Sequence, residues 1–144
     1  MIISIASDHA GYDLKEIIKN YFDMNGITYT DFGTHSTESV DYPIYAKKVC
    51  ASIQTGESDF GVLVCGTGIG MCISANKQRN IRAACCHDTY SAKMARLHND
   101  ANVITLGSRV IGPGLAVDIV KKFLSTDFEG GRHSARVNMY DDLV

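Results

Sequence analysis

The chain has 144 residues, with 14 Lys and Arg against 16 Asp and Glu and a formal net charge of -2. This length predicts a single domain that buries roughly 68–70% of its unfolded surface and needs no metal ion or disulfide to fold. The sequence has neither a long basic block nor an apolar run of membrane-spanning length, so we expect no nucleic-acid or membrane partner.

The five cysteines predict free thiols, because they are odd in number and contain no C-x-x-C pair. The five histidines likewise show no H-x-x-x-H spacing, so we expect no metal site. The first residues, MIISIASDHAGYDLKE, become charged too early for a signal peptide. These features favour a cytoplasmic location.

Short β-rich runs alternate with amphipathic stretches along the whole chain. We predict strands at 2–6, 27–32, 60–65, 81–86 and 102–107. Helices are predicted at 12–25, from Pro43 onward, and near 70–78, 89–98 and 113–124, with a last turn or two after Gly130-Gly131.

This alternation predicts a doubly wound, Rossmann-like α/β fold: a five-stranded parallel sheet with helices on both faces. We expect the strand order 2-1-3-4-5, which places the topological switch point between the first and third strands. The carboxyl ends of those strands carry Ser7-Asp8-His9 and Cys65-Gly66-Thr67-Gly68. The two segments are therefore expected to meet in one crevice.

The segment VLVCGTGIGMCISANK (62–77) places Cys65 before three glycines at alternate positions. The spacing G-x-G-x-G is neither a dinucleotide fingerprint nor a P-loop, so we expect no nucleotide cofactor. A cysteine phosphatase would have an arginine six positions after the thiol, where this chain has Met71. These three classes are therefore disfavoured.

A thiol beside bare backbone amides points to proton transfer. The amide dipoles favour the thiolate, so Cys65 can act as a nucleophile or a base. A base needs a carbon acid, such as a proton alpha to a carbonyl. The amides could then stabilise the enediolate that is left behind.

Six blocks of the sequence resemble, in order, the type B ribose-5-phosphate isomerase family, which also includes galactose-6-phosphate isomerase subunits. The blocks are SDHAGYDLK, DFGTHS with VDYP, GVLVCGTGIGMCISANK, RAACCHD, ARLHNDANVITLGSRVIG and GRHSARV. The resemblance implies one sugar-phosphate isomerase domain over 1–144, with a C-terminal arm from about 125. It also implies a cofactor-free aldose-ketose isomerase of the non-oxidative pentose phosphate pathway that assembles as a homodimer or a pair of dimers.

The resemblance also implies roles for individual residues. Cys65 corresponds to the base between C1 and C2, Thr67 to an assisting hydroxyl, and His98 to the residue that opens the furanose ring. The substrate-binding positions that it implies are Asp8, His9, Tyr42, Gly66, Gly68, Ile69, Gly70, Asn99, Arg109, Arg132 and Arg136. Asp41 is expected to border the pocket. One branch of the family has a glutamate base where this chain has Met71, so the thiol must act here.

Other interpretations remain open at this stage. Asp8 could be only the N-cap of the first helix, and His35, His87 and His133 are expected to be structural. Arg132 and Arg136 lie four residues apart, so they would share a helix face. The substrate could instead be allose 6-phosphate or galactose 6-phosphate, or the chain could be a phosphosugar sensor without activity.

The predicted topology raises a distance problem for residues late in the chain. The helix at 113–124 runs about 18 Å away from the crevice, and the arm over 125–131 spans at most about 25 Å. The HND segment precedes the fifth strand and so starts at the far edge of the sheet. We therefore expect a dimer in which either His98 or the pair Arg132 and Arg136 comes from the neighbouring chain.

Overall fold

The structure, a computed structural model, describes residues 1–143. Over that range the chain forms five strands: β1 (Ile2–Ser7), β2 (Thr28–Asp31), β3 (Phe60–Cys65), β4 (Ala83–Cys85) and β5 (Val103–Gly107). The helices are α1 (Tyr12–Met24), α2 (Tyr42–Gln54), α3 (Ile69–Ala75), α4 (Thr89–Asn99), α5 (Pro113–Leu124) and α6 (Arg132–Val137), and a 3₁₀ turn follows at Tyr140–Leu143.

The sheet is parallel throughout, and helices cover both of its faces. One face packs against α1, α4 and α5 through a large apolar cluster that includes Ile5, Val64 and Leu106. The other face packs against α2 and α3 through a smaller cluster that includes Leu63 and Cys65. Alternation along β3 thus sends Val64 to one layer and Cys65 to the other. The predicted doubly wound fold is confirmed.

The predicted order of the last two strands is wrong, because the sheet runs β2-β1-β3-β5-β4. All five residues of β5 are buried, whereas β4 has only three residues and none of them is fully buried. A strand that is apolar on both faces belongs in the interior of a parallel sheet. β5 therefore lies beside β3, and the short β4 takes the edge.

The outer edge of β4 is covered by a side chain. The Asn76 amide donates to the Ala83 carbonyl oxygen at 2.9 Å and accepts from the Ala83 N–H at 2.8 Å. Asn76 thus satisfies the two backbone groups that a further strand would otherwise pair.

A buried ion pair joins α1 to the end of β2. The Lys15 ammonium is fully buried and donates to both carboxylate oxygens of Asp31 and to the Thr34 carbonyl oxygen, each at 2.7 Å. Lys19 also reaches Asp31, at 2.8 Å. The three bonds of Lys15 compensate the cost of removing its charge from water, and they hold the chain that follows β2.

In the described range, no helix is both long and apolar enough to cross a membrane.

Candidate active site

Cys65 ends β3 at the predicted switch point, since β1 pairs with β2 on one side and with β3 on the other. The thiol is 4% exposed, and its sulfur accepts a hydrogen bond from the Gly68 N–H at 3.1 Å. This hydrogen bond fixes the direction of the sulfur inside the turn. The glycine turn therefore serves the thiol itself, in addition to any ligand.

The turn needs glycine at two positions for different reasons. Gly68 has φ +79, in the left-handed region that side chains with a Cβ rarely adopt. Gly70 faces the Tyr42 ring so closely that a Cβ would lie 2.7 Å from its Cζ. Tyr42 is the first residue of α2, so this contact brings the start of α2 against the turn.

Thr67 and Ile69 form the exposed lip of the turn. The Thr67 hydroxyl oxygen accepts from the Ile69 N–H at 3.3 Å, and both residues are exposed. Two of the backbone amides that the sequence predicts to be bare, those of Gly68 and Ile69, thus donate to side chains of the same turn.

Arg109 joins this group from the loop after β5. Its N–H donates to the Gly66 carbonyl oxygen at 3.0 Å, and its guanidinium Nη1 lies 3.2 Å from where a Gly66 Cβ would be. Its neighbour Ser108 donates through its N–H to the Cys65 carbonyl oxygen and through its hydroxyl to the Ala10 carbonyl oxygen. Ser108 therefore ties the two loops of the crevice together.

Asp8 and His9 approach from the end of β1. Asp8 is 6% exposed, and its carboxylate accepts from the Gly11 N–H at 3.0 Å. The N-cap of α1 is Gly11, so Asp8 caps the turn before the helix and is not itself the N-cap. His9 accepts at Nδ1 from the Val40 N–H at 3.2 Å, which anchors the loop leading to Tyr42.

His98 and Asn99 lie at the opposite edge of the sheet. They end α4, and only three residues separate this end from the first residue of β5. Cys65 instead pairs with Gly107, the last residue of β5. The four steps from Val103 to Gly107 alone span about 13 Å. One chain therefore does not bring His98 to its own Cys65.

Arg132 and Arg136 lie at that same edge, exposed on α6 as predicted for a shared helix face. The His133 ring stacks on the His98 ring, with centroids 4.3 Å apart and planes 13° apart. The Glu129 N–H donates to the Leu97 carbonyl oxygen at 3.0 Å. These contacts fix the arm against the end of α4.

The structure thus sorts the predicted site residues into two groups. The Cys65 group, at the carboxyl edge of the sheet, contains Asp8, His9, Tyr42, Cys65, Gly66, Thr67, Gly68, Ile69, Gly70 and Arg109. The His98 group, at the amino edge, contains His98, Asn99, Arg132 and Arg136.

Glu129 and His133 are additions that the sequence did not assign to the site. The Glu129 Oε2 atom lies 3.7 Å from Nε2 of His98 and 3.4 Å from Nε2 of His133. His133 is 8% exposed, and its Nε2 finds no hydrogen-bond partner within residues 1–143. The sequence signal for His133 was its position between Arg132 and Arg136 in the segment GRHSAR.

These three side chains could also present ligands to a metal ion, since their donor atoms lie within 4.8 Å of one another. The lone pairs of the two stacked rings, however, lie in two separate and nearly parallel planes. Coordination of one ion by both imidazoles would require one ring to rotate out of the stack.

Comparisons with known proteins identify the family of this chain. The sequence model of a family described as Ribose/Galactose Isomerase matches residues 3–140. A solved ribose 5-phosphate isomerase from Thermotoga maritima is 55% identical, with a TM-score of 0.97 and coverage of 98% of this chain and 97% of that one.

Two curated relatives carry different substrate names. Ribose-5-phosphate isomerase B of Escherichia coli is 47% identical over 94% of this chain and 91% of its own. A D-erythrulose-4-phosphate isomerase of Pectobacterium atrosepticum is 49% identical over 94% of this chain and 90% of its own. With a family match over nearly its whole length and relatives of this similarity, the chain belongs to the Ribose/Galactose Isomerase family.

Proposed function

We propose that this chain is a cofactor-free aldose-ketose isomerase that interconverts D-ribose 5-phosphate and D-ribulose 5-phosphate through an enediolate. The observation that carries the proposal is the buried Cys65 sulfur, which accepts the Gly68 N–H at 3.1 Å inside a glycine turn. This arrangement offers a base and an oxyanion site in one place and needs no cofactor.

Cys65 acts on the open-chain sugar. The thiolate removes the proton from C2, and the electrons form the C1–C2 double bond of the enediolate. The backbone amides of the turn that are not engaged by Cys65 or Thr67, together with the Thr67 hydroxyl, stabilise the developing negative charge on the sugar oxygens. The Thr67 hydroxyl passes a proton from O2 to O1. The thiol then returns its proton to C1, and the carbonyl that forms at C2 gives the ketose.

Ring opening precedes this step, because the furanose has no carbonyl to acidify its C2 proton. We assign it to His98, which protonates the ring oxygen and accepts the proton of the O1 hydroxyl, with Asn99 beside it on the substrate. The Asn99 side-chain amide donates to the Tyr140 hydroxyl at 3.0 Å, which supports a fixed orientation for this turn.

The two groups of site residues combine only if a second copy of the chain supplies one of them. We propose a two-fold homodimer, alone or paired into a tetramer, in which the His98 group of one chain completes the Cys65 group of the other. The phosphate is then held by Arg109 from one side and by Arg132 and Arg136 from the other.

An apolar surface beside the crevice supports this assembly. Ile44, Ile69 and Ile73 are each more than half exposed and lie on the two helices that flank the turn. Large apolar side chains exposed to this extent are typical of a subunit interface.

Asp8, His9 and Tyr42 are proposed to contact the sugar hydroxyls. They border the thiol from β1 and α2. The length of the space between them and the thiol sets how many sugar carbons the site accepts. The Pectobacterium relative makes a four-carbon substrate the second candidate. Six-carbon sugar phosphates, such as allose 6-phosphate and galactose 6-phosphate, are the remaining candidate substrates.

The free thiols of the described chain fit a reducing cytoplasm, where we place the reaction within the non-oxidative pentose phosphate pathway.

One assay tests the proposal. Ketose or aldose formation is measured with ribose, erythrulose, allose and galactose phosphates in the presence of a chelator. We expect ribose 5-phosphate to give the highest kcat/KM, with full activity in chelator. Preference for another sugar reassigns the substrate, and activity that a divalent ion restores after chelation contradicts the cofactor-free mechanism. Phosphosugar binding without any turnover identifies a sensor instead.

A further inference from the structure

Arg96 is a buried guanidinium in the last turn of α4, two residues before His98. Only 7% of the residue is exposed. Removing this charge from water is costly unless its N–H donors are satisfied. The hydrogen-bond partners of Arg96 therefore indicate why its guanidinium is buried.

These partners belong to two segments that follow α4 at different points of the chain. Arg96 donates from Nη1 to an Asp100 carboxylate oxygen at 2.8 Å and to the Ala101 carbonyl oxygen at 2.7 Å, in the chain that enters β5. Its Nε donates to the Thr126 carbonyl oxygen at 3.3 Å, at the start of the arm. One side chain thus holds the end of α4, the entry to β5 and the arm in a fixed relation.

Two aromatic rings enclose the same guanidinium. Its central carbon lies 4.7 Å from the ring centroid of Phe60 and 5.9 Å from that of Phe123. The aromatic faces stabilise the cation. They also tie it to the first residue of β3 and to α5, so the position of Arg96 is set by the core.

Asp100 has a backbone that needs such support. It is the C-cap of α4, with φ 46 and ψ 41, in the left-handed region that few residues other than glycine adopt. Arg82 donates to its carbonyl oxygen at 2.7 Å and to its carboxylate at 2.9 Å, while Arg96 binds the other carboxylate oxygen. The turn that carries His98 and Asn99 is therefore clamped at both ends.

We propose that Arg96, acting through Asp100 and Thr126, is a positioning residue for ring opening. It sets the direction of the His98 ring and the path of the arm, and it does not contact the substrate. This inference rests on the proposed isomerase activity. The side chain of His98 is 37% exposed and stacks on His133 of the arm, so the direction of its ring depends on where Arg96 holds the end of α4 and the arm.

The test compares two reactions of the same site. One is turnover of ribose 5-phosphate, which requires ring opening. The other is exchange of the C1 proton of open-chain ribulose 5-phosphate with solvent at saturation, which does not. Arg96→Met keeps the volume of the stem and removes all of the donors. We expect it to lower kcat for ribose 5-phosphate at least about 30-fold while proton exchange changes less than about 3-fold.

Two further variants make the test specific. Arg96→Lys keeps the charge but cannot reach all of the partners, and it should recover part of the lost turnover. Val49→Ala is the control, because Val49 is fully buried in α2 and is not one of the proposed site residues. It should destabilise the fold and leave the ratio of the two reactions unchanged.

Asp100→Asn serves if Arg96→Met does not fold, since asparagine tolerates the left-handed conformation and loses only the charge. It should shift the same ratio in the same direction. The inference is overturned if the folded variants lower both reactions in equal proportion or lower neither. A wild-type chain without isomerase activity overturns the proposed function as well, so the two failures are distinguishable.

Discussion

At the scale of single residues, Cys65 carries the chemistry that we propose. Replacing it with alanine should lower kcat by about 10²–10⁴-fold, the usual contribution of a positioned general base. Phosphosugar affinity should stay nearly unchanged, because the base acts in the transition state. Steady-state kinetics and calorimetric binding measure the two quantities. A variant that kept more than about a tenth of kcat, a loss of only about 1.4 kcal/mol, would contradict the assignment.

His98 should separate ring opening from enolisation. His98→Asn keeps a polar side chain and removes the titrating group. We expect turnover of ribose 5-phosphate to fall by about 10²–10⁴-fold, whereas proton exchange at C1 of ribulose 5-phosphate remains near the wild-type rate. NMR in deuterated solvent measures the exchange. Equal losses in both reactions would exclude a ring-opening role.

The thiols should differ in reactivity, because burial raises the pKa of Cys50 and of Cys86 to about 12. Both stay protonated at neutral pH and should resist iodoacetamide, whereas the exposed Cys85 should react readily. Loss of activity should follow modification of Cys65 and be slowed by substrate. Peptide mapping by mass spectrometry in a Cys85→Ser background measures this. Inactivation that preceded any Cys65 modification would count against the thiol base.

At the scale of elements, α1 and β2 depend on the charges between them. Burial alone would raise the pKa of Asp31, but hydrogen bonds from Lys15, Lys19 and the Gly33 N–H outweigh it, and the net shift is downward. A depressed carboxyl pKa stabilises the fold above the unfolded value of about 3.9. That contribution is lost as the pH falls through the lower pKa of the folded state.

Asp31→Asn should therefore destabilise the protein at pH 6 by about 3–5 kcal/mol, because it removes the charge that faces the buried Lys15 ammonium at 2.7 Å. The difference from wild type should begin to shrink below about pH 4, where the carboxylate of the unfolded chain becomes protonated, and should continue to shrink as the pH falls through the lower pKa of the folded state. Urea unfolding between pH 3 and pH 7 measures both effects. Lys15→Met combined with Asp31→Asn should recover part of the loss, and a difference independent of pH would refute the linkage.

A helix or strand can be predicted from the sequence when neighbouring residues determine it. The helix at 113–124 begins with Pro113 and is amphipathic over its length, and the structure places it at Pro113–Leu124. The order of β4 and β5 is not local, because it depends on which strand the long-range packing buries. The runs 81–86 and 102–107 are both apolar, yet only β5 is long enough to be covered on both faces.

The same distinction applies to the candidate site. Cys65 and the glycine turn could be located from a motif and a topological rule, and the structure places them beside Asp8 and His9 at one edge. The contact of His133 with His98 could not be predicted from the sequence, because it depends on the path of the arm through Gly130 and Gly131. Both glycines have positive φ, at 68 and 56, and they turn α6 onto the end of α4.

At the scale of the whole molecule, the proposed homodimer would make activity a property of the pair of chains. A Cys65→Ala chain refolded with a His98→Ala chain should recover about a quarter of wild-type activity, since half of the dimers are mixed and each has one intact site. Activity is measured after native mass spectrometry shows that mixed dimers form.

The matched control is Cys65→Ala mixed with Arg109→Ala. Both residues belong to the Cys65 group, so every site in that mixture lacks one of them and no recovery is expected. Failure of the first mixture, with mixed dimers present, would show that the site is not shared between chains. Recovery in the control would instead place Arg109 and Cys65 at different sites.

The side chain that covers β4 has a consequence for solubility. Asn76 occupies the N–H and the carbonyl of Ala83 and so imitates one residue of a sixth strand. Without it, Ala83 would present an unpaired donor and acceptor at the edge of the sheet, where another chain can add a strand, and strands added in this way grow into filaments. The edge of the sheet at β4 is therefore less open to pairing with other molecules. One amide, at the C-cap of α3, thus limits the number of ways in which copies of this chain can meet.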